Sequence, residues 1–179
     1  MSLDHLWAGW RSSYVGSFDE ARARAKTEGS EPVDRDGEQA CVFCEIARSR
    51  EPDEARHVLW TGKLTTALLN AYPYNPGHVM VLPIRHVRDF DELEPEEASE
   101  LWEGVHKTVA AVKAAYSPEG LNLGVNLGRA AGAGIPAHLH VHVVPRWMGD
   151  TNFMTSVAEA RVLPESLGDS WARLRAAWK

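Results

Sequence analysis

The chain has 179 residues, enough for one domain with extensions or two small ones, and enough to bury a core without disulfides. Its 44% apolar and 25% charged content is that of a globular protein, and a formal net charge of −6 argues against a broad electrostatic grip on nucleic-acid backbone while leaving room for a local anion site. The opening Met-Ser-Leu-Asp-His-Leu-Trp has no basic region followed by an apolar run, and no stretch approaches the length of a membrane span, so a soluble cytoplasmic protein with neither a nucleic-acid nor a membrane partner is expected.

Taken in order, residues 1–16 carry Trp7, Trp10, Tyr14 and Val15, large groups expected to dock on the main body or on a partner chain. Residues 19–40 mix charge with Gly, Ser and Pro and read as a solvated linker, its first part able to form a short surface helix. From Cys41 the pattern turns globular, beginning with an apolar segment over 41–47 that reads as a helical turn. Residues 58–60 and 64–69 read as strands around a turn at 61–63, residues 70–77 as a loop and residues 78–83 as a strand. Pro95 lies in the first turn of a helix running to about Tyr116, with Ala98, Leu101, Val105, Val109 and Val112 buried at helical spacing. Residues 121–127 form a strand with Asn122 and Asn126 on one face, 128–137 a loop rich in Gly and Ala, and 138–144 the last core strand. A strand near 160–163 and an amphipathic helix through Trp171, Leu174 and Trp178 complete the chain.

This is an α+β pattern: about five strands in an antiparallel sheet with one long central helix, since the short links between strands suit antiparallel pairing. The expected organisation is an extension over 1–40, a domain over 41–150 and a C-terminal extension over 151–179 packed on it. No Walker or dinucleotide fingerprint is present, because the glycines after Asn126 do not sit between a strand and a helix.

The densest chemistry lies in His138-Leu-His140-Val-His142-Val-Val144, where three of the eight histidines alternate with apolar residues. On a strand they would share one face, with Leu139, Val141 and Val143 packed beneath the other. Such a face suits metal binding, with ring nitrogens converging on a cation, or covalent catalysis, with one imidazole attacking while its neighbours move charge and protons. The preceding loop, through Gly132 and Gly134, lets backbone N–H groups approach an anion. A nucleophilic histidine beside an anion loop points to phosphoryl or nucleotidyl transfer. The only cysteines, Cys41 and Cys44, are three apart, which in a reducing compartment suggests metal or redox chemistry before a disulfide.

These residues resemble the histidine triad (HIT) family, whose signature alternates three histidines with apolar residues. Leu68-Leu-Asn70 and Asn75-Pro-Gly-His78-Val-Met-Val-Leu-Pro83 are similar to a second stretch that recurs in the family. Leu6-Trp-Ala-Gly-Trp10, Cys41-Val-Phe-Cys44 and His142-Val-Val-Pro-Arg-Trp147 resemble a bacterial branch described as diadenosine tetraphosphate phosphorylases or hydrolases. The resemblance implies a HIT-like fold, a homodimer, an adenine nucleotide or dinucleoside polyphosphate as substrate, and no organic cofactor. It implies that His140 attacks the α-phosphorus to give a nucleotidyl-histidine, that His142 contacts phosphate and assists the leaving group, and that His138 orients His140 or serves structure. Asn126 would hold a phosphate oxygen or the ribose side, Asn70 would reach the ribose, and Gly132 and Gly134 would offer backbone donors. Phe43, Ile46 and Leu68 would enclose the base, or simply be core, and His78 would stand near the catalytic face. Arg129 and Arg146 are possible aids in holding a second-step phosphate.

One departure stands out: many members carry Ser or Thr three residues before the first triad histidine, whereas this chain has Ile135, which weakens a nucleoside phosphoramidate hydrolase reading. The relatives also imply a structural zinc on Cys41, Cys44, His86 and His138, with His57 as a substitute for His86. Two other functions compete. One is a zinc metallohydrolase using all three triad histidines, for which the strand supplies no carboxylate base; the other is a nucleotide-binding protein without turnover.

Overall fold

The computed structural model describes residues 41–152 and 164–179. The aromatic N-terminal run, the linker and the strand expected near 160–163 lie outside the described residues.

Five strands form one antiparallel sheet: β1 (Val58–Thr61), β2 (Thr65–Leu69), β3 (Val79–Pro83), β4 (Gly120–Val125) and β5 (Val141–Arg146), in the order β1-β2-β3-β5-β4. A short helix α1 (Val42–Arg48) precedes them, α2 (Pro95–Tyr116) joins β3 to β4, and α3 (Leu167–Ala177) follows the sheet. The expected α+β architecture is therefore the one observed. Among the described residues no helix is long and apolar enough to cross a membrane.

β2 and β3 are buried along their whole length, because both faces of the sheet are covered. On one face α2 packs Leu101, Val105 and Val112 over Ala67, Leu69, Val79, Val81, Leu139, Val141 and Val143. Burying side chains of this size contributes roughly 1.5–3 kcal/mol each. The helix starts where its sequence says it should: Pro95 occupies the first turn, and Glu94 and Glu97 form a reciprocal capping box. It ends at Ser117, held in the left-handed region at φ 45°. Its buried stripe is shifted from the expected one. Ala98 and Val109 are only half-buried, while Gly104, Thr108 and Ala111 are buried. The cause is close approach to the sheet: a Cβ on Gly104 would lie 3.0 Å from both Trp60 and Val81, so small groups face inward there. The third helix lays Leu174 into the same core, and Trp171 Nε1 donates to the Val58 carbonyl at 2.8 Å. Trp178 lies just past the helix end.

The other face carries a smaller cluster of Cys41, Phe43, Cys44, Val58, Leu68, Met80 and Leu82, with Ile46 and Ile135 packed against it. Register brings Leu68, Met80, His142 and Gly124 into one row across β2, β3, β5 and β4.

Two strand boundaries differ from expectation. The last core strand begins at Val141, not at His138. Upstream of it the Leu139 N–H bonds Val87 O at 2.6 Å and the His138 ring bonds Pro83 O at 2.9 Å, so residues 138–140 are tied to the segment leaving β3 rather than laddered onto it. The fourth strand ends at Val125, leaving Asn126 in the loop that follows.

Candidate functional site

The four histidines at 78, 138, 140 and 142 are all buried, and they form a chain of contacts on the smaller face. Ring centroids are 4.9 Å apart for His140 and His142 and 5.1 Å apart for His142 and His78. Phe43 packs on His138 and His140 at one end, and Tyr74 packs on His142 and His78 at the other.

Hydrogen bonds assign the proton on each ring. His140 Nδ1 lies 2.7 Å from the carbonyl of His138. A carbonyl can only accept, so Nδ1 carries the hydrogen and Nε2 presents a lone pair. His78 Nδ1 takes the backbone N–H of Tyr74 at 3.0 Å, which makes Nδ1 an acceptor and puts the hydrogen on Nε2. That Nε2–H donates to His142 Nδ1 at 3.0 Å, so the hydrogen of His142 is on its own Nε2. Neighbouring rings thus hold opposite roles: His140 offers a lone pair and His142 a proton. Burial supports the neutral forms that this logic requires. It lowers the pKa of His140 against the raising effect of the His138 carbonyl, and it takes His142 down to about 4, with the charge of His140 adding to the effect.

His138 points elsewhere. Its Nδ1 lies 3.3 Å from Cys41 Sγ and 3.7 Å from Cys44 Sγ, and His86 Nδ1 lies 3.3 Å from Cys44 Sγ. The four donor atoms of Cys41, Cys44, His86 and His138 all fall within 4.8 Å of one another. A tetrahedron with zinc–sulfur bonds of ~2.3 Å and zinc–nitrogen bonds of ~2.0 Å sets its donors roughly 3.5 Å apart, so the residues fit the metal. His138 is also in the right tautomer: Nε2–H donates to Pro83 O, leaving the Nδ1 lone pair facing the thiols. Burial and its neighbours hold His138 down near 4, again the neutral ligand form. The cluster contains His86; His57 is not a member.

The remaining expected residues are dispersed more widely. Phe43, Ile46 and Leu68 come together in the smaller cluster beside His140, with Phe43 and Leu68 buried. Asn70 accepts from the Tyr72 N–H at 2.9 Å and sits 3.4 Å from His78 Nδ1. Asn126 is half-buried at the start of the glycine loop. Gly132 adopts φ 87° and donates its N–H to Arg129 O at 2.9 Å. Gly134 is exposed in the same loop. Arg146 is bound in two-pronged fashion by Asp150 at 2.6 and 2.7 Å, and its Nη1 donates to Asn122 at 2.6 Å. Ile135 packs with the thiol cluster, so the departure from the family pattern is apolar and half-buried.

The sequence assigns no role to several further residues. Asp150 accepts from Arg146, from the Trp147 N–H and from Asn75 Nδ2 at 2.8 Å, and Asn75 also donates to Pro145 O at 2.8 Å. This ties the loop bearing Tyr74 to the end of β5. Met80, opposite His142, follows from strand register once β3 and β5 are paired.

Four histidines brought together beside a five-stranded sheet, with the triad spacing, define a histidine triad domain. The family model "HIT domain" matches residues 51–148, and the chain belongs to that family. It is 39% identical over 180 residues to the "AP-4-A phosphorylase" of Mycobacterium tuberculosis, covering 98% of this chain and 85% of that one. It is 37% identical over 93 residues to the asymmetrical bis(5'-nucleosyl)-tetraphosphatase of Schizosaccharomyces pombe, covering 52% of this chain and 50% of that one. Among solved structures, a zinc-bound histidine triad family protein from Mycobacterium smegmatis superposes with a TM-score of 0.63 at 29% identity, covering 79% of this chain and 94% of that one.

Proposed function

We propose that this protein cleaves dinucleoside polyphosphates, diadenosine tetraphosphate foremost, through a nucleotidyl-histidine intermediate. The observation that carries the reading is the opposed tautomers of two adjacent rings, the lone pair on His140 Nε2 and the proton on His142 Nε2. His140 Nε2 attacks the α-phosphorus. The bond from phosphorus to the bridging oxygen breaks, and the proton on His142 Nε2 goes to the departing nucleotide. In the second step an acceptor O–H returns a proton to His142 as its oxygen attacks phosphorus and frees His140. Water as acceptor gives AMP and ATP; inorganic phosphate gives ADP and ATP. The full-length likeness to a phosphorylase favours phosphate.

Phe43, Ile46 and Leu68 take the base side, Asn70 the ribose, and Asn126 with Gly134 the phosphate oxygens. Arg146 is a poor candidate for holding the second-step phosphate, because Asp150 already occupies its guanidinium fork. Zinc on Cys41, Cys44, His86 and His138 would tie the segment before β1 to the triad and add stability there. Four protein donors leave no open position for substrate, which argues against the metallohydrolase alternative. A homodimer is the proposed assembly; the outer strand β4 carries Leu123, half of whose surface is exposed.

Incubating the protein with diadenosine tetraphosphate, with and without phosphate, tests the activity and names the acceptor. Nucleotide binding with no turnover under either condition would refute it.

A further inference from the structure

We propose that metal occupancy of the thiol–histidine cluster sets the shape of the nucleoside pocket, so that metal and nucleotide bind with positive coupling although they do not touch. The inference rests on the readings of both sites given above.

Two connections carry it. The first is His138, whose side chain faces the thiols while its carbonyl accepts from His140 Nδ1 at 2.7 Å. Between them the Leu139 N–H is anchored on Val87 O. Three consecutive residues therefore hold a metal ligand at one end and the nucleophile at the other.

The second connection is α1. This helix has seven residues and no side-chain N-cap, and helices so short are marginal without tertiary support. Cys41 and Cys44 flank Phe43, whose ring lies 5.4 Å from that of His138 and 5.2 Å from that of His140. The helix is also held by Arg56 Nη1, which donates to Ile46 O at 2.7 Å. A cation drawing both sulfurs onto His86 and His138 would thus hold Phe43 against the nucleophile. Without it, the pocket wall would rest on the smaller apolar cluster and the Arg56 anchor, with nothing drawing the two sulfurs together. The main core under α2 belongs to a separate cluster, so the loss should be local rather than global.

Coupling between two ligands is reciprocal, which gives two independent readouts. The full chain would be loaded with zinc, stripped with a chelator and reloaded, with zinc content, far-UV circular dichroism and AMP affinity measured at each stage. AMP affinity should fall about tenfold or more on stripping and return on reloading, with the dichroism unchanged. Chelator competition on the folded protein should show AMP tightening zinc by the same factor. Equal AMP affinity with and without zinc would overturn the coupling while leaving the nucleotide and metal sites standing. Failure to take up zinc would overturn the metal reading and the coupling with it. Collapse of the dichroism on stripping would also overturn the proposal, since the metal would then act on the whole fold.

Discussion

His78 Nε2 lies 3.0 Å from His142 Nδ1, and the far side of His78 is held by the backbone N–H of Tyr74. A main-chain amide thus determines which nitrogen of His142 carries the proton, through one intervening ring. In the proposed mechanism His78 acts through His142, as a positioning residue. His78→Gln should lower kcat by about a hundredfold with little change in KM. A substrate whose leaving group needs no proton, such as the p-nitrophenyl ester of AMP, should recover most of that loss. An equal loss on both substrates would show that His78 serves only packing.

Burial holds the pKa of His142 at about 4, whereas an unfolded histidine titrates near ~6.5. Between those values the unfolded chain binds a proton that the native ring refuses. The contribution of this ring to stability is therefore full above about pH 6.5 and is lost as the pH drops towards 4. Replacing the ring in His142→Asn should flatten that part of the stability curve, by on the order of 3 kcal/mol at its acid end. Urea titrations of both proteins between those pH values would measure it, and parallel curves would contradict it.

The carboxylate of Asp150 collects Arg146, Asn75 and the Trp147 amide. Its side chain is only 9% exposed, so weakening these bonds strands polar groups away from water. Asp150→Asn should cost about 1–3 kcal/mol in denaturant unfolding. Because the same bonds tie down the loop bearing Tyr74, the variant should also lose kcat under conditions where it remains folded.

Gly77 has φ 77°, and a Cβ placed there would come within 2.5 Å of the Tyr116 ring. Both backbone and space disfavour any side chain immediately before His78. Gly77→Ala should destabilise the protein by about 2 kcal/mol or more, read as a lowered melting temperature.

Much of this site was legible in the sequence, for physical reasons that differ by residue. The alternation around His140 marks two faces, and Leu139, Val141 and Val143 do pack under α2. Pro95 marks the start of the long helix because cap chemistry is local. What the sequence hid was long-range. Asn75 and Asp150 are 75 residues apart, and no spacing rule joins them. The start of β5 depends on Pro83 O being taken by the His138 ring, a contact across 55 residues. The contribution of Tyr74 is a main-chain N–H group, whose partner composition does not reveal.

In the proposed reaction phosphorus becomes covalently bonded to His140. The most direct measurement is a rapid quench of the protein with diadenosine tetraphosphate, followed by peptide mass analysis under alkaline conditions, where phosphohistidine linkages survive. An adenylyl group should appear on His140 before the second product, with neither adduct nor turnover in His140→Ala. Turnover surviving in that variant at near the parent rate, or steady-state cleavage with no adduct on His140, would contradict it.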